Sequence, residues 1–258
     1  MRNLNELVFL TSFRFFFLIL LIIIIFFNFL DILIFQYSRS LHGLFFMFFQ
    51  EVIDPLSEIF DPFNIILICT LILFININIK RIISNEKKLE VIKKNTKFSL
   101  EKIISLFNFL SLVCKHFILS LALAGILCNI FKYILGVSRP KYFFLEGYSR
   151  INFFNIEHKV SSFPSGHTQA AFTLAILIII YFNRYTLFIL VLAILMGLSR
   201  IFMSMHFPSD LIAGAYLGSI VPIIIYNNFY REEVEKIKKR YNVNLKDLFR
   251  LMYWRIFI

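Results

Sequence analysis

Glycine and proline are scarce in this sequence, 8 and 6 among 258 residues, and nowhere do they gather with serine into a linker. Without such a boundary the chain reads as a single domain over residues 1–258. Cysteine is scarce too: Cys69, Cys114 and Cys128 each sit inside an apolar run, at no metal-ligand spacing. That excludes a disulfide framework and leaves three core residues. Acidic residues number 16 against 27 Lys and Arg, a net charge of +11. A basic excess of this size can mark a nucleic-acid binder, but here the cations gather beside apolar runs, the arrangement that orients membrane helices. Nucleic acid is therefore excluded as a partner. No small-residue cleavage site follows the first apolar run, which is also too long for a signal-peptide core.

What is present is hydrocarbon. The chain is 59% hydrophobic with 34 phenylalanines, and its mean hydropathy is +0.77. Soluble domains do not have this composition; polytopic membrane proteins do. Part of the Ile, Phe, Asn and Lys excess is what a nucleotide-biased genome would impose, so aromatic counts carry little functional weight. Six apolar stretches, 15–30, 63–79, 117–135, 170–181, 187–198 and 211–229, read as membrane spans, with a turn at Asn183-Arg184. Asp31 closes the first. Residues 36–62 carry Leu44, Phe45, Phe48, Val52, Leu56 and Phe60 at helical spacing, interrupted by Glu51, Asp54, Pro55 and Asp61, and read as one or two interfacial helices. Residues 80–102 hold eight Lys and Arg against Glu86, Glu90 and Glu101, a solvated cytoplasmic loop with a secondary capacity for anionic headgroups. Residues 103–113 read as an entry segment before the third span, with His116 structural. The predicted fold is all-α and polytopic, with about six spans. It divides into N-terminal spans and basic loop (1–114), a core (115–230) and a basic tail (231–258) that ends in an amphipathic segment around Trp254.

Three polar clusters interrupt the apolar background: Lys132-x6-Arg139-Pro140, then Pro164-Ser165-Gly166-His167, then Ser199-Arg200-x5-His206-x3-Asp210. The span pair between the second and third returns both to one side of the membrane. Lys132 and Arg139, seven apart, would project from one helix face, and Pro140 would end that helix near Arg139. Pro164 to His167 reads as a helix N-terminus, where free backbone N–H groups form an anion site and Gly166 permits close approach. Taken singly, such cations are ordinary snorkelling residues and such a helix start ordinary capping. Together they form a cation-rich pocket suited to a phosphate group and hostile to a bound metal. His206 is the best nucleophile, because neutral imidazole needs no prior deprotonation. Asp210, opening a helix that Pro208 begins, can hold the other ring N–H, and His167 can act as general acid.

The three clusters, in this order and spacing, resemble the signature of the type 2 phosphatidic acid phosphatase (PAP2) superfamily, which shares its phosphate site with vanadium haloperoxidases. The resemblance covers roughly residues 115–230. It implies a PAP2-like helical core and a metal-independent, cofactor-free lipid phosphatase. His206 would form a phosphohistidine, oriented by Asp210, while His167 protonates the leaving group. Lys132, Arg139, Ser165, Gly166 and Arg200 would hold the phosphoryl oxygens; Ser199 packs or caps. The substrate would be a lipid phosphate in the bilayer: phosphatidic acid, phosphatidylglycerophosphate, polyprenyl pyrophosphate or a phosphorylated lipid A. The alternatives are a vanadate-dependent haloperoxidase and a non-catalytic lipid-binding or transport protein. Lysine-rich segments and termini inside, with the clusters outside, imply a bacterial inner membrane with the site facing the periplasm.

Overall fold

The computed structural model describes residues 8–41, 43–77, 85–182 and 185–256. These are helical almost throughout; the only bridge between extended residues among them pairs Val137 with Ile151. Among the described residues four helices are long and apolar enough to cross a membrane: α1 (Phe13–Ser40), the run Leu44–Ile77, α5 (Leu100–Leu135) and α9 (Pro208–Tyr241). Two shorter apolar helices, α7 (Gly166–Tyr181) and α8 (Thr186–Phe202), complete six. The first two of the six present most of their apolar side chains outward: Phe13 is 84% exposed and Leu44 83%. An apolar surface of that extent is tolerated in lipid and not in water. The protein is an all-α integral membrane protein.

The chain forms two compact units. The first takes in Met1–Asn64 and Ser120–Ile224, the second Ile65–Leu119 and Ile225–Ile258. In the first, α1 starts at Ser12, whose hydroxyl accepts from the Phe15 N–H. It does not stop at Asp31 but runs on to Ser40, because Asp31 is 1% exposed and its charge is satisfied inside the protein. The run Leu44–Ile77 is interrupted at Phe60 and Asp61. Its first part, α2 (44–59), is an apolar helix broken by a π-turn at Phe48–Ile53, and α3 is Pro62–Ile77. Phe49 and Ile53 of α2 are buried against α7 and α8 in a cluster with Ala171, Ala175, Ala193 and Phe202. Residues 44–59 therefore pack one narrow face on the core, while Leu44, Phe45, Val52 and Ile59 stay exposed.

The second unit holds α4 (Glu86–Thr96) and α10 (Leu245–Ile256). Its basic segment is not a loop: Leu89, Ile92 and Thr96 share one helix face, and Ile92 is 1% exposed. Residues 80–84 lie outside the described residues, as does the expected turn at 183–184. Lys102 bonds Asp247 at 2.7 Å and Arg240 bonds Glu101 at 2.6 Å. Residues 103–113 and the third span are one 36-residue helix, α5. Lys115 and His116 do not interrupt it, since Lys115 points outward while His116 is fully buried, stacked on Tyr230 at 5.0 Å.

Lys132 and Arg139 do not share a helix. α5 ends at Leu135, and Gly136 takes the left-handed conformation (φ 54°) that closes helices. A Cβ there would overlap the Asn152 carbonyl. Arg139 is instead the extended N-cap of α6 (Pro140–Leu145), with Pro140 in the first turn.

Candidate active site

The second and third clusters are joined through backbone. Ser165 caps α7, accepting from the Thr168 N–H at 3.4 Å and the Thr168 hydroxyl at 2.9 Å. Its own N–H donates to the Asp210 carbonyl at 3.0 Å. This approach requires glycine on α9: a Cβ at Gly214 would come within 2.5 Å of the Ser165 carbonyl, and one at Gly218 would collide with the Gln169 carbonyl. A Cβ at Gly166 would lie 3.6 Å from the Lys132 Nζ, so that ammonium stands at the α7 N-terminus. A cavity of about 410 Å³ opens here, lined by Lys132, Gly166, His167, Asn129, Ser57 and Asp61 among others. His167 is exposed toward it and has no hydrogen bond among the described residues. Free N–H groups of a helix start, an ammonium and an unengaged imidazole form an anion site with a proton donor beside it.

His206 is 2% exposed. Its Nδ1 lies 2.8 Å from the Ser162 carbonyl, which can only accept, so Nδ1 carries the hydrogen and Nε2 keeps its lone pair. Asp210 Oδ2 is 3.6 Å from the same nitrogen, too long for a hydrogen bond. Between them stands Ser162, whose hydroxyl lies 3.3 Å from Nδ1 and donates to Asp210 Oδ2 at 2.5 Å. That oxygen also accepts the Phe207 N–H at 2.7 Å. The carboxylate thus reaches the ring through Ser162, a residue absent from the sequence-based set. Burial pushes His206 down to about 4; Asp210 opposes this, and Lys132 and Arg139 add to it. The imidazole is therefore neutral near pH 7, the form a nucleophile needs.

The other two cations are held in place by the protein. Arg139 donates its backbone N–H to the Lys159 carbonyl at 2.9 Å and its guanidinium to Ser161 Oγ at 3.1 Å and Met205 Sδ at 3.7 Å. Its Nε is buried with no hydrogen bond among the described residues. Arg200, in the last turn of α8, donates from Nε to Ser199 Oγ at 3.2 Å and from Nη2 to Ser57 Oγ at 3.1 Å, and is ion-paired with Asp54. Ser57 also lines the cavity, with Lys132 and His167, so Arg200 adjoins it through Ser57; Arg139, Arg200 and His206 are not in the lining themselves. Ser199, set aside in the sequence reading, orients Arg200. No sequence signal singled out Ser57 or Asp54, which sit in the segment read as interfacial. Among the described residues no group of three His, Cys, Asp or Glu is placed to hold a metal ion.

A PAP2 superfamily profile matches residues 114–233, which contain all three clusters. The chain is 29% identical over 121 residues to a lipid A 1-phosphatase of Rhizobium etli, covering 46% of this chain and 52% of that one. A protein of the same description from Rhizobium johnstonii is 29% identical, covering 43% and 46%. The bacitracin transport permease protein BcrC of Bacillus licheniformis is 39% identical over 72 residues, covering 28% and 36%. The chain spans about half the length, or less, of these curated relatives. No solved structure matches. The three clusters and their ordered spacing lie within the matched segment, and residues 114–233 are PAP2-like.

Proposed function

We propose that the protein is an integral-membrane lipid phosphatase that acts through a phosphohistidine, with its site on the periplasmic face of a bacterial inner membrane. The observation that carries this reading is His206: a neutral imidazole with its Nδ1 hydrogen fixed on Ser162 and the charges of Lys132 and Arg139 acting on it. The Nε2 lone pair attacks phosphorus, and the bond from phosphorus to the lipid oxygen breaks. His167 supplies the proton to that oxygen. Positive charge then develops on the His206 ring and is stabilised through Nδ1–H, the Ser162 carbonyl and the Ser162–Asp210 pair. Lys132, Arg139, Arg200 and the N–H of Gly166 neutralise the phosphoryl oxygens, while Ser165, whose N–H is engaged by the Asp210 carbonyl, holds the start of α7 in place. Water next attacks phosphorus, releasing inorganic phosphate and restoring His206.

A lipid is favoured by what adjoins the polar cavity. An apolar groove of about 240 Å³ between α7 and α8 shares Phe60, Ala171 and Met196 with it. A substrate with a phosphorylated head and a hydrocarbon tail fits that sequence of surfaces. The rhizobial relatives' description, lipid A 1-phosphatase, lies within the same substrate class. Purified protein in mixed micelles is expected to release inorganic phosphate from at least one of phosphatidic acid, phosphatidylglycerophosphate, polyprenyl pyrophosphate and lipid A, with no metal or vanadate added. Release from none of them, with halide oxidation once vanadate is supplied, would assign the site to haloperoxidase chemistry instead.

The orientation follows from charge. Lysines of α4 and of the segment 231–240 are expected to be cytoplasmic, which directs the Lys132 end of α5 outward. A cysteine introduced at Asn152 should react with an impermeant maleimide in intact cells, and one at Asn95 only after permeabilisation. Labelling of Asn95 but not Asn152 would reverse the orientation.

A further inference from the structure

The nucleophile's loop is braced from behind by residues that the reaction does not use. Asp31 of α1 has a side chain with no solvent exposure. Its two oxygens take three donors: the Ser209 N–H at 2.8 Å, the Ser209 hydroxyl at 2.6 Å and the Arg150 guanidinium. Arg150 belongs to the segment between the first two clusters. Its guanidinium lies 3.5 Å from the ring centroid of Phe207 and 4.6 Å from that of Phe27. Its carbonyl accepts the N–H of Ser138, the residue before Arg139. Phe207 and Ser209 are the neighbours of His206 and Asp210, and the Phe207 N–H is itself bound to Asp210 Oδ2. One ion pair, fully buried on its Asp31 side, therefore holds both Phe207 and Ser209, between and beside His206 and Asp210, and ties them to the first cluster.

We infer that Asp31 and Arg150 are positioning residues for His206, setting the direction of its Nε2 toward phosphorus without touching substrate. This rests on the proposed phosphohistidine chemistry. A buried carboxylate in a lipid-facing helix is costly and marks a task. Stability alone is a poor explanation, because replacing a buried ion pair by neutral residues of similar size is commonly neutral or stabilising. Breaking one side leaves an unpaired buried charge; removing both sides does not. Stability and turnover should therefore respond differently to the double replacement, which provides the test.

The experiment uses the full chain in detergent, with p-nitrophenyl phosphate as substrate, inorganic phosphate as competitive ligand and nitrogen-15 histidine NMR. Asp31→Asn and Arg150→Met should each lower kcat by about 10- to 100-fold with KM and the phosphate inhibition constant changed less than about threefold, since the cations remain. Both should also lower Tm. The double variant Asp31→Asn/Arg150→Met should recover Tm but not kcat. Recovery of kcat together with Tm would overturn the inference, leaving a purely structural ion pair. An equal loss of phosphate affinity would also overturn it, by moving the effect from His206 to the anion pocket. If a single variant fails to fold, the double variant and Ser209→Ala still separate Tm from kcat. The NMR arm does not depend on turnover: the His206 Nδ1–H resonance should be single in the parent and broadened or split in the variants. An unchanged resonance in the double variant counts against positioning. A parent that releases no phosphate from any substrate defeats the functional reading and leaves this arm readable.

Discussion

His206→Ala is expected to lower turnover by about 10³-fold or more on every substrate, because no covalent path remains. His167→Ala should be equally slow on a lipid monoester, whose alkoxide cannot leave without a proton. The two histidines separate when the leaving group is changed. On an aryl phosphate, whose phenolate leaves unaided, His167→Ala should recover substantially and His206→Ala should not. Their surroundings account for the division. His206 is buried with Nδ1 committed to Ser162, so a single nitrogen is available and it is a base. His167 sits on the first turn of α7 against the cavity, with no hydrogen bond among the described residues to fix either nitrogen, which suits a group that gives and regains a proton. Quenching in alkaline denaturant should trap an acid-labile, alkali-stable phosphohistidine in the His167 variant and none in the His206 variant. Label on His167 would exchange the roles, and equal losses on both substrates with nothing trapped would favour direct attack by water.

Arg200→Lys should reduce turnover by about 10²-fold even though charge is conserved, the scale on which loss of one oriented transition-state donor is felt. The guanidinium divides its donors. Nε is spent on Ser199, and Nη2 on Ser57 and Asp54, so its plane is set before substrate arrives. A lysine has a single tip. Drawn to Asp54 and Ser57 it cannot also reach a phosphoryl oxygen, and released from them it loses its orientation. Arg139→Lys should behave alike, since Ser161 and Met205 hold the guanidinium in the same manner. Kinetic comparison of both variants on a lipid phosphate decides the matter. Near-parent turnover in both would show that the two arginines act as distant point charges.

Much of this was legible in the sequence, for reasons that differ by element. α7 and α8 were readable because an apolar run between polar clusters admits one geometry in a bilayer. The opening of α9 was readable because Pro208 suits the first turn of a helix and an apolar run follows it. Lys132 and Arg139 were misjudged as one helix face because seven residues happen to make two turns; Gly136, able to take φ 54°, was the overlooked signal. Ser162 had no signal, since its task depends on a carbonyl and a hydroxyl meeting residues more than forty positions away. Asp31 had one. A lone carboxylate at the end of an apolar run resembles a flank, but the continuation into Ile32, Leu33 and Ile34 places it within a helix and calls for a buried partner. Residues 80–102 were judged by charge, and charge concealed the Leu89, Ile92 and Thr96 face.

The glycines of α9 bear on how such a protein can change. Gly214 and Gly218 bring one helix backbone against the Ser165 and Gln169 carbonyls of another. The gauge that sets the anion pocket against the helix of Asp210 is thus main chain on main chain, independent of any rotamer. A lineage drifting toward Phe and Ile can exchange nearly every lipid-facing side chain without retuning the site. At these two positions it has no latitude: a single methyl group would force the two helix backbones apart and move Ser165 away from Asp210.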